Sequence, residues 1–97
     1  MEEEILKKLL KLFHEPFKAL REGRMAASEV EEVWRTFIEE MAKLGMDVRD
    51  RMEEIIKLAH EYENTNEKSS KARIESKIIN LWAGPNGPSD AIWGYDP

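Results

Sequence analysis

Residues 28–50 read SEVEEVWRTFIEEMAKLGMDVRD, and this stretch decides the fold class. Val30, Val33, Trp34, Phe37, Ile38, Met41 and Leu44 recur three and four residues apart. That spacing gathers side chains on one face of an α-helix and would scatter them over both faces of a strand. Ser28 and Glu31 match the S-x-x-E capping box, so a helix is expected to start at Ser28. Gly45, with no Cβ to oppose a left-handed backbone, is the expected stop. Asp47 follows as an N-cap for the next helix, with Asp50 three residues on. The link Gly45-Met46-Asp47 is so short that the two helices must be antiparallel neighbours.

Upstream, Ile5, Leu6, Leu9, Leu10, Phe13, Phe17 and Leu20 keep a helical period, and the stripe they form is about 160° wide on an ideal wheel. A helix is therefore predicted from Glu2 to Arg21, with Gly23 ending it. Pro16 removes the hydrogen bond to Leu12, but the stripe keeps phase across it, so one bent helix is expected rather than two. Downstream of Asp47, Val48, Met52, Ile55, Ile56, Ala59 and Tyr62 line one face of the next helix. The polar segment 61–73 (EYENTNEKSSKAR) then admits two readings: a break near Glu63 with Asn64 or Thr65 capping a fourth helix, or one long helix from Val48 to Trp82. The apolar face does not continue in phase to Ile74, Ile78 and Leu81, which favours the break. Ala83-Gly84-Pro85 is a strong stop, Pro85-Asn86-Gly87 a turn sequence, and Ser89 or Asp90 could cap one further turn at Ala91-Ile92-Trp93.

The expected architecture is all-α: a small antiparallel four-helix bundle over residues 1–84, or three helices if the last two fuse, followed by an irregular Gly/Pro-rich aromatic tail over residues 85–97. The 97 residues suffice for one domain with one modest core. Three of the five glycines and three of the four prolines fall in the last fourteen residues, which leaves the remainder free for helix. At 41% hydrophobic the chain is too apolar, and too periodic, for disorder.

Without cysteine, a disulfide framework, a thiolate zinc site and a cysteine nucleophile are excluded. Met1-Glu2-Glu3-Glu4 lacks the basic start of a secretory signal, and no stretch approaches a membrane span, so a cytoplasmic location is expected. The absence of glutamine beside abundant glutamate and lysine fits a thermophile-like composition or a designed one.

No constellation of residues carries chemistry. His14 and His60 are preceded three residues earlier by Lys11 and Lys57, so the Glu-x-x-His pair of a di-iron bundle is missing. His60 and Glu63 share a face but two ligands make no zinc site. No serine sits in a nucleophile elbow, and no glycine loop follows a strand. No catalytic residue, metal or cofactor is expected, and no enzymatic activity. The net charge of −5 argues against nucleic acid and anionic membrane as partners. Two basic groups, Lys68/Lys71/Arg73/Lys77 and Lys18/Arg21/Arg24, leave weak nucleic-acid binding as a lesser alternative. The first helix pairs Lys7, Lys11 and Lys18 with a leucine and phenylalanine face, but that amphipathicity is what a bundle helix needs anyway.

What remains is surface for protein binding. Ile78, Trp82, Ile92, Trp93 and Tyr95 form an aromatic and aliphatic group at the end of the chain; the tail over residues 85–97 is expected to fold back on the bundle, and the alternative is that it stays free to anchor a partner. The expected function is therefore a non-enzymatic interaction module, a small acidic helical adaptor or inhibitor that binds another protein or itself. The alternative is an engineered scaffold without natural activity, against which Pro16 and the irregular tail count.

Overall fold

The computed structural model describes residues 3–93, with side chains through Ile92. Four long helices, α1 (Glu3–Arg21), α2 (Ala27–Lys43), α3 (Arg49–Glu63) and α4 (Lys68–Ala83), are followed by a short α5 (Pro88–Trp93), and no strand occurs among the described residues. The protein is a small all-α bundle. Its antiparallel course follows from side-chain contacts. As α2 advances from Ala27 to Arg35, its partners in α3 recede from Glu63 through His60 to Glu53. Between α1 and α4, Phe13 meets Trp82 whereas Arg21 meets Glu75.

One core runs through all five helices. Leu9, Phe13, Phe17 and Leu20 come from α1, Val30, Trp34, Phe37, Ile38 and Met41 from α2, and Met52, Ile55, Ile56, Ala59 and Tyr62 from α3. Val48 joins them from the α2–α3 link, Ile78 and Trp82 from α4, and Ile92 from α5. Phe13 lies at its centre between two indoles, stacked on Trp82 at 3.7 Å and on Trp34 at 5.2 Å between ring centroids. Such pairs add about 0.5–1.5 kcal/mol each beyond the apolar area they bury. The Trp34 Nε1–H donates to the Phe13 carbonyl at 3.2 Å, which satisfies the only polar atom of that ring inside the core. No buried side-chain nitrogen or oxygen among the described residues lacks a partner.

The helix ends depart from the sequence in instructive ways. α2 begins at Ala27, one residue before the expected Ser28 cap. The Glu29 carboxylate accepts the Ala26 N–H at 2.9 Å, and Glu63, at the end of α3, accepts the Ala27 N–H at 2.7 Å. Glu31, the expected partner of Ser28, is drawn instead to Arg35 and His60. α3 begins at Arg49, and Asp47 accepts the Arg49 N–H at 3.1 Å from just outside the helix. The chain does break near Glu63, but Asn64 and Thr65 do not cap α4. Asn64 N–H donates to the His60 carbonyl and the Thr65 hydroxyl to the Glu61 carbonyl, so both close α3. α1 runs continuously through the buried Pro16.

Gly23 and Gly45 end α1 and α2 with φ of +73° and +83°, the left-handed region glycine enters without strain. Gly87 is required for a different reason. A Cβ there would lie 2.5 Å from the Trp82 carbonyl oxygen and 2.6 Å from that of Leu81, because the chain folds tightly back over the end of α4. That reversal seats Pro88 and Ile92 in the interior.

Candidate docking surface

The outward row of α1 is basic. Lys7, Lys8, Lys11 and Lys18 are all exposed along it, with Glu4 and Glu15 between them. They follow from the same period that makes the inner stripe, since every position that misses the core faces water. Beside this row the floor is apolar: Leu12, Met25 and Val33 are half-buried, and Pro16 and Ala19 are buried. Together these residues line an open groove of about 1030 Å³ that follows α1 from Glu4 to Ala19 and is closed off by Arg24 and Met25 from the α1–α2 link. Lys7, Lys8, Lys11, Lys18 and Arg24 against Glu4 and Glu15 make five cations to two carboxylates, a net of +3 in a chain whose total is −5.

Two of these cations are partly neutralised locally. Lys7 lies 3.8 Å from Glu3, and Arg24 lies 2.6 Å from Glu22, whose carboxyl is held below its ordinary range by that hydrogen bond. Among the described residues no carboxylate comes within ion-pair distance of Lys8, Lys11 or Lys18. Counted with Glu3 and Glu22, the rim holds five cations to four carboxylates and keeps a net of +1, with Lys8, Lys11 and Lys18 outside any ion pair among the described residues.

The α2–α3 seam is built differently. Arg35 bridges Glu31 at 2.7 Å and Glu53 at 2.6 Å, and His60 Nε2 lies 2.7 Å from Glu31. Since a carboxylate can only accept, Nε2 carries the hydrogen. The Glu31 carboxyl is lowered by hydrogen bonds from His60 and then Arg35. These charges tie two helices together and face one another rather than a ligand. At the other side of the bundle His14 packs edge-on to Trp82 at 5.6 Å, and partial burial, then the Arg21 charge, lowers its pKa.

A smaller cleft of about 370 Å³ opens at the end of the bundle between Leu20, Arg24, Tyr62, Glu63 and Lys71. Its carboxylates Glu29 and Glu63 are occupied by the N-terminus of α2, so the anion site that a helix N-terminus offers is filled from within the chain. Lys71 is turned over the Tyr62 ring at 4.7 Å, away from the rest of the Lys68/Arg73/Lys77 group. No group of three or more histidine or carboxylate side chains close enough to hold a metal occurs among the described residues.

The structure redistributes the residues the sequence singled out for a partner. Ile78, Trp82 and Ile92 are 0%, 5% and 1% exposed, so they are core and present no anchor in this conformation. The Trp93 side chain and Tyr95 lie outside the described residues. The surplus apolar surface of α4 reduces to Ile79, 46% exposed, because Ile74 and Leu81 are packed against the core. The groove joins residues read separately in the sequence. The sequence places Lys7, Lys11 and Lys18 on one amphipathic helix, Lys18 also with Arg24 in a basic group, and Val33 on the core face, whereas the structure leaves Val33 half-buried beside Leu12, Ala19 and Met25. Leu12 was the available signal, an apolar residue just off the edge of the inner stripe.

No family description, curated protein or solved structure matches this chain. No helix among the described residues is long and apolar enough to cross a membrane.

Proposed function

We propose that this chain is a non-enzymatic protein-interaction module that receives a partner in the groove along α1. The observation that carries the reading is the pairing of a half-buried apolar floor with three lysines, Lys8, Lys11 and Lys18, that form no ion pair among the described residues, on a chain that is acidic as a whole. Apolar side chains recessed between charges are poor core and good interface, because a partner that covers them removes apolar area from water while the rim sets its orientation. The titratable groups elsewhere support the same view. Glu29 and Glu63 cap a helix, and Glu31, Arg35, Glu53 and His60 join two helices, so each is consumed by the fold.

The test is site-specific photo-crosslinking in cells that express the whole chain, with the crosslinking residue placed at Lys11 or Lys18 in the groove, or at Glu54 on the outward face of α3. Discrete adducts from the two groove positions and none from Glu54 are expected. Equal labelling from all three positions overturns the reading.

A further inference from the structure

The structure points to the class of partner, an inference that rests on the groove being a docking site. The groove follows α1 from Glu4 to Ala19, a length of about 23 Å at 1.5 Å per residue, which is four turns of helix. Its floor is lined by Leu12, Pro16, Ala19, Met25 and Val33. Apart from the Leu12 carbonyl, which Pro16 leaves without its N–H donor, the backbone groups of α1 are engaged within the helix, and no sheet edge exists among the described residues to pair an extended strand. An extended peptide laid there would leave its own N–H and C=O groups without partners on one side, whereas a helix brings them already satisfied. The basic rim selects carboxylates, and the Leu12, Met25 and Val33 floor selects apolar side chains recurring three and four residues apart.

We propose that the occupant of the α1 groove is an acidic amphipathic helix of another protein, with its apolar stripe on Leu12, Met25 and Val33 and its carboxylates against Lys8, Lys11 and Lys18. A second copy of this chain fits less well. Its outward α2 and α3 faces supply carboxylates such as Glu32, Glu39 and Glu54, but the large apolar residues it exposes among the described residues are only Ile5 and Ile79, on α1 and α4. Nucleic acid would gain nothing from the apolar floor. A bilayer needs apolar side chains that protrude, and these are recessed between charges.

The experiment is a display selection with a randomised 16-residue peptide library against the whole protein, read by sequencing and then by fluorescence binding of the enriched peptides. Two kinds of variant divide the outcomes: the rim reversal Lys8→Glu/Lys11→Glu/Lys18→Glu, all at exposed positions, and the floor variants Leu12→Ser and Met25→Ser, checked for unchanged helix content. Enriched peptides should be net negative with helical apolar periodicity. They should lose about tenfold or more in affinity on either the rim reversal or a floor variant, and weaken with added salt. Peptides lost with the floor variants but basic or neutral, and indifferent to the rim reversal, refute the acidic partner and leave the groove standing. Peptides indifferent to both kinds of variant, or no enrichment at all, refute both. Tighter binding to duplex DNA, or to vesicles of phosphatidylcholine with anionic phosphatidylserine, than to any enriched peptide refutes the helix in favour of that ligand.

Discussion

The start of α2 offers a sharp test, because the sequence and the tertiary structure assign its cap to different residues. The S-x-x-E pattern names Ser28, and Ser→Ala at a true N-cap costs about 1 kcal/mol. In the fold Ser28 is exposed and its hydroxyl makes no hydrogen bond among the described residues, whereas Glu63 accepts the Ala27 N–H at 2.7 Å from a different helix. The bond is part-buried at the edge of the open cleft, so Glu63→Ala removes the acceptor of that N–H, a loss of about 0.5–1.5 kcal/mol. The charge of Glu63 on the helix N-terminus adds about 0.3–1 kcal/mol at most, and the side chain is exposed, so solvent screens much of it. The expected cost of Glu63→Ala is therefore about 1–2 kcal/mol, or roughly 5–15 °C in Tm for a domain of this size. Ser28→Ala should be neutral within about 0.5 kcal/mol, helped by the better helix propensity of alanine. Glu63→Gln keeps an acceptor without the charge and should recover part of the loss. The assay is urea unfolding followed by far-ultraviolet circular dichroism, with the double variant included to show that the effects are independent. A Ser28→Ala cost equal to or larger than that of Glu63→Ala would refute the cap from α3.

Four further outcomes follow from the core, His14 and Glu31. Cutting the chain after Pro85 removes Ile92, whose burial is worth about 1.5–3 kcal/mol, and Pro88, and should lower Tm by about 10 °C or more; an unchanged Tm contradicts the packing of α5. Trp34→Phe deletes the bond to the Phe13 carbonyl and part of the stack, with an expected loss of about 2–3 kcal/mol in denaturant unfolding, and a loss near zero contradicts it. His14 is lowered from 6.5 in the fold, so below that value the unfolded chain binds the proton first and stability falls as pH drops through about 6.5 until the lower folded value is passed. Thermal unfolding across that range should show the decline, and His14→Gln should flatten it; a gain in stability on acidification rules out this assignment. Glu31, lowered from 4.5, contributes stability above that value that is lost as pH falls through its folded value, so a second decline is expected at more acid pH.

The sequence by itself determined the four long helices, because burial on one face imposes a period that is visible locally: of the α2 face, Val30, Trp34, Phe37, Ile38 and Met41 are buried and Val33 and Leu44, at its margins, half-buried. It determined most helix ends as well, since glycine at 23 and 45 serves a backbone need that no neighbour supplies. Tertiary structure decided what depends on residues distant in the chain. The cap of α2 comes from Glu63, thirty-six residues away, and overrides a local pattern that was complete in itself. The stack of Trp34, Phe13 and Trp82 draws one ring from each of three helices, and no local period records which rings will meet. Whether the aromatic and aliphatic group at the chain end packs or stays free was also a tertiary matter, and Ile78, Trp82 and Ile92 are buried in the core. The groove became visible only when α1 and α2 were set side by side, since its floor combines Leu12, just outside the α1 stripe, with Val33 at the margin of the α2 stripe and Met25 from the link between them.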